Sequence, residues 1–270
     1  MSRKFSVVTT FNAHGYNQYG KRMISTFLQN WPAEVDLLVY AEDCTVVESA
    51  SNLKVLDLHK ESPALVAFKE KWNNVPKANG IISADPVRSQ RKDAGKSFKW
   101  NAIRFAHKVY AIFAAKKAHT DWLLWMDADT VCHSPVTVAE LNELCPLDKE
   151  LCFLGRRGKY TECGLYAMNL RSTNVSDFLK KFQHVYDDAE NGIFTMKEWH
   201  DSFVFDVVRK SIPLAEHDWS GHLIHGEGHP LINSEWGAYL DHLKGGRKAQ
   251  GRSKDQDLLV ARTEAYWKQQ

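Results

Sequence analysis

The feature that most restricts how this chain can fold is a series of short apolar runs alternating with helical patterns. Residues 5–10 (FSVVTT), 35–43 (VDLLVYAED), 53–58 (LKVLDL) and 122–126 (WLLWM) are continuous apolar runs of strand length, as expected for strands buried on both faces. Between them, Met23, Ile24, Phe27 and Leu28 recur at helical spacing. Ser62-Pro63 opens ALVAFKEKW with a cap and a proline in the first turn. Residues 98–118 set Phe98, Ala102, Phe105, Val109 and Ile112 along one side of a predicted long helix. Strands buried on both faces and separated by helices predict an α/β sandwich with a mainly parallel sheet. After residue 130 the order is less regular. Residues 134–144, 172–190 and 198–210 read as helices, and LCFLG and GLYAMNL as strands. The His-, Gly- and Trp-rich remainder shows little periodicity, which predicts a smaller region folded onto the edge of the same single domain.

Length and charge narrow the field further. A chain of 270 residues can bury a substantial core as one domain. A net charge of +2 supplies no global basic field for nucleic acid. Cations do gather locally, in Lys77, Arg88, Arg91, Lys92, Lys96 and Lys99, and again in Lys244, Arg247, Lys248, Arg252 and Lys254. Such segments are either solvated loops or phosphate contacts. The stretch 75–96 is polar and punctuated by Pro76, Gly80, Pro86 and Gly95, and a loop of that length is functional or disordered. Five cysteines without a Cys-x-x-Cys pair predict reduced thiols. The first apolar run is too short for a signal peptide, and none approaches the roughly 20 residues of a membrane span. The expectation is a cytoplasmic protein.

The run WLLWM leads directly into Asp127-Ala128-Asp129. Carboxylates at i and i+2 in the turn after a strand can converge on one hard cation such as Mg²⁺ or Mn²⁺, which keeps positions open for phosphate oxygens. Carboxyl ends of strands are also where open α/β sheets bind ligands.

Two families use this arrangement. DADTV matches the DxDx[TV] nucleophile motif of haloacid-dehalogenase-like phosphatases, with Asp127 as nucleophile. That family sets the motif near the start of its domain and needs a downstream GDxxxD, and neither holds here. Over most of its length the chain resembles nucleotide-sugar glycosyltransferases of the GT-A fold, most closely the glycogenin-like, retaining branch, which implies a Rossmann-like nucleotide-binding α/β/α sandwich. WLLWMDADTVCHSPV is similar to that family's apolar strand, DxD motif and following helix. HKVYAI resembles its Tyr/Arg-Leu segment, with Lys108 in place of Arg. ECGLYAMNL resembles its sugar-pocket strand, with Glu162-Cys163 in place of Asn-Ala. DHLKGGRK carries His242-x-x-Gly245-x-x-Lys248, the family's HxxGxxK spacing, without the Pro-Trp that commonly follows.

The resemblance implies a metal-dependent transfer of a sugar from a nucleoside diphosphate, UDP by default, to an acceptor hydroxyl on a glycan or other anionic molecule. It implies Mn²⁺ or Mg²⁺ held by Asp127, Asp129 and His242. Thr9, Thr10, Phe11, Tyr16, Asp43, Lys108, Asp127 and Lys248 would contact the donor, and Asp201 and Lys108 would serve catalysis. Residues 1–135 would bind the nucleotide sugar, and 136–270 would bind the acceptor and close the site. Acceptors on modified DNA bases stay open. Three further features have two readings each. His222, His225 and His229 are spaced for zinc or for a loop closing over the site. Trp199 and Trp236 suit either sugar stacking or core. Asp201 is either the catalytic carboxylate or only a charge favoured at a helix start.

Overall fold

The computed structural model describes residues 3–223 and 229–268. Nine strands form among them: β1 (Phe5–Asn12), β2 (Asp36–Glu42), β3 (Leu53–Asp57), β4 (Trp122–Met126), β5 (Thr130–Cys132), β6 (Leu151–Leu154), β7 (Glu162–Asn169), β8 (Glu216–Asp218) and β9 (Leu240–His242). Seven make one sheet in the order β3-β2-β1-β4-β7-β6-β8, and β5 and β9 pair separately. Within the large sheet only β7 runs against its neighbours, pairing antiparallel with both β4 and β6. The mainly parallel α/β architecture expected from the alternating runs is the one observed.

The longer helices are α1 (Lys21–Asn30), α2 (Pro63–Trp72), α3 (Ala102–Ala115), α4 (Val138–Leu144), α5 (Thr173–Asp187) and α6 (Asp201–Arg209). Alternate side chains of the central strands enter different cores, as the period of two requires. Val7, Leu37, Val39, Trp122 and Leu124 pack with Phe27 and Trp31 on one side of the sheet. Val8, Leu38, Tyr40, Leu123 and Trp125 pack with Val109, Ile112, Phe178 and Phe182 on the other.

Local chemistry moves several predicted boundaries. The helix expected over 98–118 begins at Ala102, because the Asn101 side chain accepts the Arg104 N–H at 2.9 Å and caps it there. A 3₁₀ turn, Ser97–Trp100, precedes it. Phe98 is therefore off the apolar helix face and exposed, while Trp100 is buried and donates its indole N–H to the Lys197 carbonyl at 3.0 Å. LKVLDL is an edge strand with Lys54, Val55 and Asp57 exposed, rather than a fully buried one. The long polar segment before α3 is held by its own ion pairs. Arg88 meets Asp85 at 2.7 Å, and Arg91 and Lys99 both meet Asp93 at 2.9 Å. Much of its positive charge is thus spent internally.

The C-terminal region is ordered by buried polar anchors rather than by periodicity. The Asp241 carboxylate, wholly buried, accepts from the Ser253 N–H at 2.8 Å, the Ser253 hydroxyl at 2.6 Å and the Tyr266 hydroxyl at 2.8 Å. Arg247 pairs with Asp257 through two nitrogens. Among the described residues no helix is long and apolar enough to cross a membrane.

Candidate active site

Strand β4 ends by turning at Asp127, whose backbone N–H donates to the Gly164 carbonyl of β7 at 2.8 Å. The chain continues through Asp129 into β5, which pairs antiparallel with β9 so that Thr130 lies opposite His242. That register carries a residue more than 100 positions away to the aspartate pair. His242 Nε2 lies 3.0 Å from Asp129 Oδ1 and 3.5 Å from Asp127 Oδ2. The ligand atoms of Asp127, Asp129 and His242 all lie within 4.8 Å of one another.

Two carboxylates and one imidazole are a donor set that Mn²⁺ or Mg²⁺ accepts, and three protein ligands leave positions for phosphate oxygens. Gly164 makes the ring placement possible. A Cβ there would stand 2.4 Å from His242 Cε1 and 2.5 Å from Nδ1, closer than any side chain tolerates.

Charge in the site is closely paired. Burial alone would raise the Asp129 carboxyl, but His242 and Lys248 outweigh it and hold the group well below the usual carboxylate range. Lys248 Nζ is 2.9 Å from Asp129 Oδ2 and sits over the Tyr19 ring at 4.6 Å. Lys108, on α3, points between two carboxylates, 3.0 Å from Asp127 Oδ1 and 2.7 Å from Asp201 Oδ2, and also donates to the Cys163 carbonyl. Burial pulls its ammonium down, yet Asp127 and Asp201 together raise it well above its ordinary value. Asp201 opens α6. Burial would raise its carboxyl, and Lys108 overrides this to lower it. The Trp125 indole N–H donates to Asp127 Oδ1 at 2.7 Å, fixing that oxygen from below.

Two cavities meet at these groups. The smaller, about 340 Å³, is lined by Thr10, Phe11, Glu42 and His107 together with Lys108, Asp127, Asp129, Asp201 and Lys248. The larger, about 1420 Å³, shares Arg104, Phe105, Asp127, Asp129, Asp201 and Lys248 and extends past Glu162 and Lys244 to the loop 155–161 and the start of α6.

The predicted residues divide accordingly. The structure brings together Thr10, Phe11, Lys108, Asp127, Asp129, Asp201, His242 and Lys248. It does not bring Thr9 or Tyr16 into either cavity. Thr9 is wholly buried in β1. Tyr16 is buried against Phe11, with its hydroxyl on Glu48 at 2.7 Å. Asp43 turns outward just past the end of β2 with a positive φ of 50°, and the carboxylate facing the smaller cavity is its neighbour Glu42.

Burial would raise Glu42, but contacts from His107 and from Lys69, whose Nζ is 2.6 Å away, bring it down to about 2. The alternation of side chains along β2 was the signal for Glu42. Trp199 and Trp236 are wholly buried core residues. His225 lies outside the described residues. His222 bonds the Asn233 carbonyl at 3.3 Å, and His229 packs on the His242 ring, so no zinc group forms from His222 and His229 among the described residues. Glu162, buried behind His242 and paired with Lys244 and Arg156, was not anticipated as a charged wall of the larger cavity.

No protein-family profile matches the sequence, and no curated protein matches it. Solved structures similar to this chain include three glycosyltransferases. The bifunctional glycosyltransferase WbbM in its apo form matches 82% of this chain at 12% identity with a TM-score of 0.46. Mouse xyloside xylosyltransferase 1 matches 79% at 14% identity and 0.44, and GlyE of Streptococcus pneumoniae TIGR4 matches 80% at 10% identity and 0.44. The chain spans 39% of the WbbM chain, 45% of GlyE and 84% of the xylosyltransferase.

Proposed function

We propose that this chain is a metal-dependent GT-A-type glycosyltransferase that moves a sugar from a nucleoside-diphosphate sugar, UDP by default, to an acceptor hydroxyl. The supporting observation is the position of His242 Nε2 against both Asp129 and Asp127 where the two cavities meet. The smaller cavity draws on residues before 135 except for Asp201 and Lys248, and suits the nucleotide. The larger draws mainly on later residues and suits the acceptor.

In this reading Asp127, Asp129 and His242 hold Mn²⁺ or Mg²⁺. Such an ion, when bound, neutralises charge developing on the diphosphate as it leaves. Glu42 takes the ribose or base contact at the end of β2. Lys248 reaches the diphosphate from the side of Asp129. In the transfer, the bond from the anomeric carbon to the diphosphate oxygen breaks and a bond to the acceptor oxygen forms. Asp201, kept ionised by Lys108, faces the anomeric carbon with negative charge. With retention the acceptor proton leaves on the diphosphate; with inversion it passes to Asp201.

The test is incubation with Mn²⁺ and a panel of nucleotide sugars, following release of nucleoside diphosphate. Metal-dependent release from at least one donor is expected, and Asp129→Ala abolishes it. Release of inorganic phosphate from phosphomonoesters, with every nucleotide sugar left intact, contradicts the proposal and favours Asp127 as a phosphatase nucleophile.

A further inference from the structure

The larger cavity has a second built wall beyond the metal cluster, which meets the donor side at Arg104 and Phe105, residues that line both cavities. His200, just before Asp201, is fixed at both nitrogens: Nε2 bonds Glu198 at 2.9 Å, and Nδ1 accepts the Phe203 N–H at 3.4 Å. Its ring is surrounded by Phe98 at 6.0 Å, Phe105 at 6.2 Å and Tyr160 at 5.4 Å between centroids. All four rings line the cavity, and Phe98 is 47% exposed. A large ring left open toward a cleft, on a base pinned by Glu198, Lys99 and Tyr160, departs from ordinary core packing. Lys96 and Arg104 line the same cavity, Arg104 over the Phe105 ring at 6.0 Å, and neither has a carboxylate partner among the described residues. By contrast Lys99, Arg209 and Lys244 in the same walls each have one. In a concave site, unpaired cations of this kind raise the local concentration of anions.

We propose that this wall is the acceptor subsite for an anionic glycan, whose terminal sugar lies against Phe98, Phe105 and Tyr160 and whose charged group meets Lys96 and Arg104. The inference rests on the glycosyltransferase reading, since it is the nearness of Asp201 to this wall that makes the bound sugar an acceptor. A volume of about 1420 Å³ exceeds what a compact small molecule needs, roughly 300–1,000 Å³, and fits a chain of several rings. Mixed charge separates a glycan from a nucleic acid. Glu198, Asp201, Asp206 and Asp218 all face the cavity. They can accept hydrogen bonds from sugar hydroxyls, and they repel a continuous phosphodiester backbone, which favours grooves of one sign.

The experiment is calorimetric titration of the full chain, with Mn²⁺ and UDP present, using three probes of similar length: a heparin-derived oligosaccharide, a malto-oligosaccharide and a thymidine oligonucleotide. The heparin fragment is expected to bind most tightly. Phe98→Ala and Tyr160→Ala should each weaken it about tenfold, as loss of a stacking contact implies. Lys96→Ala/Arg104→Ala should remove the preference over the neutral chain, whereas Lys92→Ala, outside the cavity, should not. Equal binding of the neutral chain, tighter binding of the oligonucleotide, or no effect of the ring substitutions overturns the inference. Nucleotide-sugar hydrolysis by the same wild-type sample separates the two claims. Hydrolysis without oligosaccharide binding removes only the acceptor subsite. Oligosaccharide binding without donor binding or hydrolysis removes the glycosyltransferase reading instead.

Discussion

Lys108 is the residue on which most of the site's charge balance depends, because it stands between Asp127 and Asp201. Replacing it by Met removes the ion-pair partner of Asp201 and leaves Asp127 with the Trp125 N–H and the more distant His242. Lys108→Met is expected to cost about 3 kcal/mol in urea unfolding, toward the lower end for buried pairs because Asp127 keeps 28% of its side chain exposed. The double variant Lys108→Met/Asp201→Asn should recover most of that stability while donor hydrolysis stays lost; equal losses in both variants contradict the pairing. Gly164→Ala forces His242 aside and should weaken Mn²⁺ binding at least about tenfold, the usual cost of disturbing a ligand's support. That Asp127, Asp129, His242 and Lys248 come together was legible from the Asp-x-Asp and His-x-x-Gly-x-x-Lys spacings. Asp43 and Tyr16 misled for a local reason. Asp43 lies one residue beyond the end of β2 and turns out, and Tyr16 is tied to Glu48 by a bond that no spacing announces.

At the scale of elements, the pairing of β5 with β9 makes the site, and Asp241 anchors that pair to the C-terminal tail. Asp241→Ala removes three hydrogen bonds without touching a proposed metal ligand. It should lower Mn²⁺ affinity about tenfold, as outer-shell losses do, and expose the region 251–268 to proteolysis. Unchanged affinity would show that β9 holds its register without the tail.

Strand β2 carries its own pH signature. Glu42 titrates at about 2 in the folded chain, below its ordinary value of 4.5, so its contribution to stability is full above pH 4.5 and is lost as pH falls toward 2. Glu42→Gln should therefore destabilise at pH 6 and differ progressively less from the wild type as pH falls through that window; a constant difference contradicts the assignment. The parallel strands were readable from their continuous apolar runs. The reversal at β7 was not drawn from the sequence, although residues 155–161 are too few for a helical crossover and so require an antiparallel return.

At the scale of the molecule, one sheet collects its ligand groups at the carboxyl ends of β1, β2 and β4, and two cavities share one cluster of charges there. Net charge gave no guide to this cleft, because ion pairs such as Arg88 with Asp85 consume many of the cations that crowd the sequence. The aromatic wall escaped detection because Phe98 fits a helical stripe in the sequence, and only the cap at Asn101 takes it off the helix. The central claim is that a residue from β9 completes the site begun by the aspartates after β4. Titration of Mn²⁺ into the wild type and His242→Ala, followed by electron paramagnetic resonance with and without UDP, tests it directly. The wild type should bind a single Mn²⁺, more tightly with UDP, and His242→Ala should lose at least about tenfold in affinity in both conditions, as expected for loss of a ligand. Wild-type Mn²⁺ affinity in His242→Ala would contradict the account.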